Sequence, residues 1–279
     1  MNRKIGVVSI WHGLLYIIVI SGAITMIFPL LWLLSTSFKT YDKTLHWPPE
    51  LIPNPFYPRN YADVLSIPLF ARAILNSAIY AIFGMLGTVF LASLAGFAFA
   101  KYEFPGKNLL FFLILSTLMI PGQVTLIPNF LILKTLGWLN TFLALIVPGL
   151  GAPFGIFLIR QFTLGIPSEL FDSARVDGAS EFRIYWQIFL PLCIPAISTL
   201  AVLEFLGRWN DLFWPIIVTR TPEMRTVQMA LTLVCRTLYD IIWNQLAAGM
   251  VLAFLPVFIL FVIFQKYFVE GIALTGLKG

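Results

Sequence analysis

This chain predicts an all-α integral membrane protein of six transmembrane helices, and three observations carry that class. Of its 279 residues, 59% are hydrophobic and only 11% are charged, with a mean hydropathy of +0.89; that is too little polar surface for an ordinary water-soluble fold. A window of about 20 residues, the length that crosses the hydrocarbon core as a helix, finds six apolar spans. One compact polar stretch, 165–191, stands between two of them. The chain 1–279 reads as a single membrane domain.

In order, the spans fall near 11–34, 73–100, 109–131, 141–160, 192–218 and 246–267. The first follows Met1-Asn-Arg-Lys and starts like a signal sequence, but its apolar run continues to Leu34, which makes it an uncleaved anchor. Pro29, Pro121, Pro148, Pro153, Pro195, Pro215 and Pro256 lie within or at the ends of spans, where they kink or break helices that neighbours must then support. The small-residue run 92–100, ASLAGFAFA, suits close helix packing. Cys193 and Cys235 lie in or beside different spans, so neither a disulfide nor a metal site is expected.

Six spans put both termini on one side. The 18 basic residues divide evenly between the two faces, but the short segments 1–10 and 101–107 are more basic than the short loop 134–140. That leans toward a cell (inner, cytoplasmic) membrane protein with cytoplasmic termini, since the rule is best counted on short loops. The segment 161–191 and the tail 268–279 then face the cytoplasm, and the proline-rich 47–58 lies outside. Trp47 and Trp243 suit the membrane interface.

In the polar stretch, GIPSELFDSARVDGASEFRIYWQIFLP, Ser168 is placed to N-cap a short helix after Pro167, with Glu169 in the first turn where the helix dipole favours acid. Asp177-Gly178 ends that helix, because glycine accepts the left-handed geometry of a helix stop. A leucine at Gly178 is expected to strain the backbone and to push its side chain into the elbow. A second helix starts from Ser180. Phe182, Tyr185, Trp186 and Phe189 recur along it at i, i+3, i+4 and i+7 as one aromatic face, until Pro191 closes it. Such a face suits a partner's groove or, as an interfacial amphipathic helix, the lipid headgroups.

The chain contains no GxxxxGK[ST], the nearest fragment being Pro105-Gly106-Lys107-Asn108, and no H-E-x-x-H or G-x-S-x-G. Scattered basic residues give no support to nucleic-acid binding. Intramembrane acids are sparse, Glu204 being the main one, with Asp211 nearer a span's end; a proton- or sodium-coupled carrier more often shows several. Glu204 suits a translocation path or an i,i+4 pair with Arg208. Trp209 and Asn210 suit a path lining or interfacial anchoring.

The polar stretch resembles the EAA loop of the membrane subunits of ATP-binding-cassette importers, whose pattern is E-A-A, three residues, G, nine residues, I-x-L-P. Asp172, Ser173 and Ala174 stand at the lettered positions, then Arg175-Val176-Asp177, Gly178, nine residues, and Ile188-Phe189-Leu190-Pro191. Further segments are similar to the carbohydrate-uptake branch, in particular to the second permease of maltose-type systems: 28–40, Asn60-Tyr61, 95–107, 119–130, Trp209-Asn210-Asp211 and 264–279. The resemblance implies a type I importer permease fold and a non-catalytic subunit passing a carbohydrate or a solute such as glycerol phosphate. It implies a second related permease, two ATPase subunits that bind the ATP and Mg, and an extracytoplasmic solute-binding protein, with no cofactor in this chain. The coupling loop it implies includes Asp172, Ser173, Ala174, Asp177, Gly178, Phe182 and Trp186; Glu204, Trp209 and Asn210 are the candidate path residues. The alternative is a stand-alone secondary carrier or channel.

Overall fold

The structure, a computed structural model, describes residues 2–234 and 241–276, and helices dominate them. Three helical segments are long and apolar enough to cross a membrane unbroken: Leu15–Ser37, Phe70–Lys101 and Trp243–Gln265. Three further candidates are bent pairs, Lys107–Met119 with Gly122–Thr135 at 102°, Phe142–Gly149 with Pro153–Leu164 at 44°, and Glu181–Leu192 with Ile194–Trp209 at 78°. Counting each pair as one span gives up to six.

Prolines stand at these bends, as expected for the spans over 109–131, 141–160 and 192–218. Pro121 immediately precedes the helix Gly122–Thr135, Pro153 opens Pro153–Leu164, and Pro195 sits in the first turn of Ile194–Trp209. Each lacks the N–H that an uninterrupted helix would donate. The backbone is re-paired locally, with Ile120 N donating to Thr117 O at 3.2 Å and Cys193 N to Phe189 O at 2.9 Å. The last part of the fifth expected span is a separate helix, Phe213–Val218. Pro29 and Pro256, by contrast, lie inside unbroken helices.

The chain divides into two compact units, Met1–Phe70 with Leu231–Phe254, and Ala71–Ala230 with Leu255–Gly279. In the first, the end of the helix Asn2–Ser37 is held by the segment Arg59–Ser66. The last carbonyls of a helix have no intrahelical donor; here buried Asn60 donates Nδ2 to Ser37 O at 2.9 Å and to Lys39 O at 2.8 Å. Its Oδ1 accepts from Asn244 Nδ2 at 2.8 Å, and Tyr61 Oη lies 2.7 Å from Ser37 Oγ. The side chain of Lys39 is buried, with Nζ 4.2 Å from the centre of the Trp32 ring.

In the second unit, small residues let helices touch backbone to side chain. A Cβ at Gly96 would stand 2.7 Å from Ile159 Cγ2 and 3.0 Å from the Arg160 backbone nitrogen, and one at Gly155 would stand 3.1 Å from Ala92 Cβ. The helices Phe70–Lys101 and Pro153–Leu164 thus meet at the ASLAGFAFA run. Around it Ile159, Phe171, Ile184, Tyr185, Phe189, Cys193 and Leu200 form a buried apolar cluster with Ala92 and Phe97.

Gly96→Ala is expected to destabilise by about 1–3 kcal/mol, the usual cost of forcing a methyl into a packed contact, because one of the crowded atoms is backbone. Gly122→Ala, whose Cβ would meet nothing within 4 Å, is the matched control. A lower aggregation temperature in detergent for Gly96→Ala alone is the expected result; equal temperatures would show that the helices do not meet there.

Candidate functional site

The polar stretch folds into two short helices, Glu169–Val176 and the amphipathic Glu181–Leu192, joined at Gly178. Gly178 has φ +79. Its N–H donates to Arg175 O at 3.0 Å, and Ala179 N–H donates to Ala174 O at 2.9 Å, the paired bonds that close a helix through a left-handed residue. Ala174 and Ala179 also pack together against the buried cluster. The second helix begins as expected, Ser180 Oγ accepting from Arg183 N at 3.3 Å.

Ser168 does not cap the first helix. Its backbone is already helical and its side chain makes no cap bond; instead its hydroxyl accepts from Lys101 Nζ at 3.2 Å, while the same ammonium donates to Ile166 O at 2.6 Å. Lys101 thereby ties the end of the long helix Phe70–Lys101 to the start of the elbow.

The single aromatic face is also corrected, since the structure divides it. Tyr185 and Phe189 are 5% and 0% exposed, whereas Phe182 and Trp186 are 75% and 45% exposed. Tyr185–Phe189 winds as one wider turn of π type. The inner pair meets Phe97, with ring centroids 5.9 Å away for Tyr185 and 4.5 Å for Phe189, and Tyr185 Oη lies 2.7 Å from Ser93 Oγ. Phe171 of the first helix packs on the same Phe97 ring at 5.7 Å. A helix face wide enough to hold four aromatics is wider than its contact, so one flank is left outward.

Arg175 spans the elbow. Nη1 donates to Asp172 Oδ1 at 2.8 Å within the first helix, while Nε and Nη2 donate to Glu181 Oε1 and Oε2 at 2.8 and 3.2 Å across it. Tyr102 Oη donates to Glu181 as well, and the guanidinium lies 5.7 Å from the Tyr102 ring. The hydrogen bonds that Arg175 donates to Glu181 raise its pKa above the ordinary value, and burial raises that of Tyr102. Being partly exposed, these ion pairs contribute geometry more than energy.

The path candidates lie elsewhere in the second unit. Glu204 and Arg208 are paired, Nη2 donating to Oε2 at 3.1 Å. That nitrogen also donates to Thr88 Oγ1 at 2.7 Å and Gly149 O at 2.8 Å. Glycines make room for it: a Cβ at Gly84 would stand 2.5 Å from Arg208 Cδ, and one at Gly149 2.7 Å from Nη1. A cavity of about 270 Å³ is lined by Tyr80, Gly149, Leu203, Glu204, Gly207, Arg208 and Asp211. Trp209 is not on that wall; it is buried and stacked on Phe205 at 5.6 Å. Asn210 is exposed, its Oδ1 accepting from Gln228 Nε2 at 3.3 Å.

Residues 88–273 match the family described as binding-protein-dependent transport system inner membrane component. This chain belongs to that family. Among curated relatives, the permease is 35% identical to the arabinooligosaccharides transport system permease protein AraQ of Halalkalibacterium halodurans over 100% of both chains. It is 30% identical to the sn-glycerol-3-phosphate transport system permease protein UgpE of Yersinia pestis, over 92% of this chain and 94% of that one. Among solved structures, a bacterial ABC transporter involved in the import of the acidic polysaccharide alginate superposes with a TM-score of 0.83 at 24% identity, covering 96% of this chain and 99% of that one. That likeness carries the type I importer permease fold.

Within the permease, the lettered loop residues come together as a single turn. Asp172 pairs with Arg175, Ser173 Oγ donates to Leu170 O at 3.2 Å, Ala174 supplies the closing carbonyl, and Asp177 occupies the C-cap. Sequence reasoning missed Arg175, Glu181, Tyr102 and Lys101. Opposite charges six residues apart across Asp-Gly, and a Lys-Tyr pair at the end of a span, are the signals that point to them.

A Cβ at Gly178 would meet nothing within 4 Å, so the expected crowding of the elbow is replaced by backbone strain alone. Positive φ costs an L-residue roughly 1 kcal/mol or more, and asparagine less than most. Gly178→Asn should therefore retain the elbow while Gly178→Val loosens it, read as protease sensitivity at 177–180 in membrane vesicles. Equal sensitivity in both variants would mean the left-handed turn is not what holds the helices.

Proposed function

We propose that this chain is one of two related permease subunits of an ATP-driven importer, translocating a carbohydrate or related polyol across the cytoplasmic membrane. The observation that carries the reading is the elbow's divided aromatic stripe: one half is locked into the buried cluster, and the other, Phe182 and Trp186, is presented outward, with Leu170 and Val176 of the first short helix exposed as well. An exposed apolar patch rimmed by charge marks an interaction site, and rigid attachment to a long helix suits it to transmit motion. The occupant is the groove of an ATPase subunit.

In this reading the chain itself makes and breaks no covalent bonds. ATP and Mg sit in two ATPase chains, and closure of those chains carries the elbow with it. A ligand or partner shifts a conformational equilibrium only through different affinity for its states, so the elbow's contacts must change with the ATPase's conformation. Lys101, anchored to the carbonyl of Ile166, and the Phe97 cluster pass that displacement to the helix Phe70–Lys101. A loaded extracytoplasmic binding protein delivers solute from the opposite side, and both termini lie in the cytoplasm with the elbow. The names of the relatives, an arabinooligosaccharide and a glycerol phosphate permease, support a polyhydroxylated solute.

Phe182→Ala combined with Trp186→Ala should leave the permease inserted and paired while ATPase co-purification falls by about 10-fold or more, since removing two exposed aromatics from an interface core costs on the order of 2 kcal/mol or more. Uptake in proteoliposomes should fall with it. Full ATPase retention would remove the elbow as the docking site. Solute uptake by this chain alone, driven by an ion gradient without ATPase chains, would replace the importer reading with a secondary carrier.

A further inference from the structure

The cavity beside Arg208 combines two carboxylates, one guanidinium, a phenol and a little apolar wall. Its charges do not balance: Glu204 and Asp211 face a single Arg208. The arginine is committed, since Nη2 serves Thr88, Gly149 and Glu204. Yet the side chain is 7% exposed and its Nε is buried with no protein partner. Asp211 Oδ2 accepts from Tyr80 Oη at 3.0 Å and Oδ1 from Trp214 N at 3.2 Å, which orients the carboxylate at the cavity wall. A second cavity of about 190 Å³ shares Tyr80 and Gly149 as walls and adds Asn129, Leu126, Leu145, Pro148 and Trp214. At about 270 Å³ the first alone comes near the lower end of small-ligand pockets, roughly 300 Å³.

We infer that this cavity is a solute-contact site for a neutral polyhydroxylated ring and that it rejects anionic solutes. The inference rests on the importer reading and narrows its substrate class. A sugar hydroxyl both donates and accepts, so one ring can donate hydrogen bonds to the Glu204 and Asp211 carboxylates, while Leu203 and the Tyr80 ring supply an apolar wall. An ionised phosphate or carboxylate group offers acceptors only. It would meet two carboxylates in a low-dielectric site and a guanidinium already neutralised by Glu204, and such like-charge opposition is how sites discriminate against a competitor.

The test uses the assembled importer, with its second permease, ATPase chains and binding protein, in proteoliposomes. In a Cys193→Ala, Cys235→Ser background, Leu203→Cys places a thiol on the cavity wall. Its modification by a cationic aminoethyl and an anionic sulfonatoethyl methanethiosulfonate is compared, each rate scaled to that with free cysteine. The expected result is a cationic preference of about 10-fold that collapses on Glu204→Gln or, where that variant fails to assemble, on Asp211→Asn. A neutral pentose oligosaccharide should slow labelling and glycerol phosphate should not. Protection by glycerol phosphate, an anionic preference, or labelling indifferent to both solutes would overturn the assignment. ATP-dependent uptake in the same vesicles separates this outcome from failure of the importer reading, which would instead abolish the requirement for ATPase chains.

Discussion

The elbow depends on one aromatic contact, the ring of Phe97 near the end of the helix Phe70–Lys101. Phe171 comes to it from the first short helix and Tyr185 and Phe189 from the second, while Tyr102 meets it edge-on at 5.5 Å. Full burial of each large apolar side chain contributes roughly 1.5–3 kcal/mol, and each aromatic pair about 0.5–1.5 kcal/mol more. The exposed Arg175 pairs contribute at most about 1 kcal/mol each. The rings therefore hold the two short helices to the span, and the charges set the angle between them.

That order of magnitudes explains how firmly the elbow is fixed to its span. A loop attached only by surface ion pairs would yield when its outer face was pushed; one attached by a buried ring cluster moves with its helix. Gly178 completes the arrangement. Its left-handed turn lets both helices approach the same ring, so Phe171 and Phe189 pack on Phe97 although 18 residues separate them.

A second constraint operates around Arg208. A guanidinium taken out of water is costly unless its charge and donors are met, and here the meeting points come from three places, Thr88, Gly149 and Glu204. Gly84 and Gly149 are glycine because the side chain passes where a Cβ would stand. The ion pair with Glu204 and the polar cavity are thus one arrangement: Glu204 makes the i,i+4 pair with Arg208, and both residues line the cavity.

The amino-acid sequence by itself determined the class, the up-to-six-span count and the identity of the elbow, because hydropathy over about 20 residues and the spacing of glycine and proline are local properties. It also located Gly178, whose role follows from one residue's backbone freedom. It did not determine the bends, because a proline permits either a kink within a helix, as at Pro29, or a break, as at Pro121, and neighbouring contacts select between them. Nor did it determine which aromatics face outward. Phe182, Tyr185, Trp186 and Phe189 are equivalent on a helical wheel, and only the position of Phe97, some 90 residues away in the chain, separates the buried pair from the exposed one. Ser168 failed as a cap for the same reason: Lys101, distant in sequence, supplies a charged donor that its hydroxyl takes in place of the local amide.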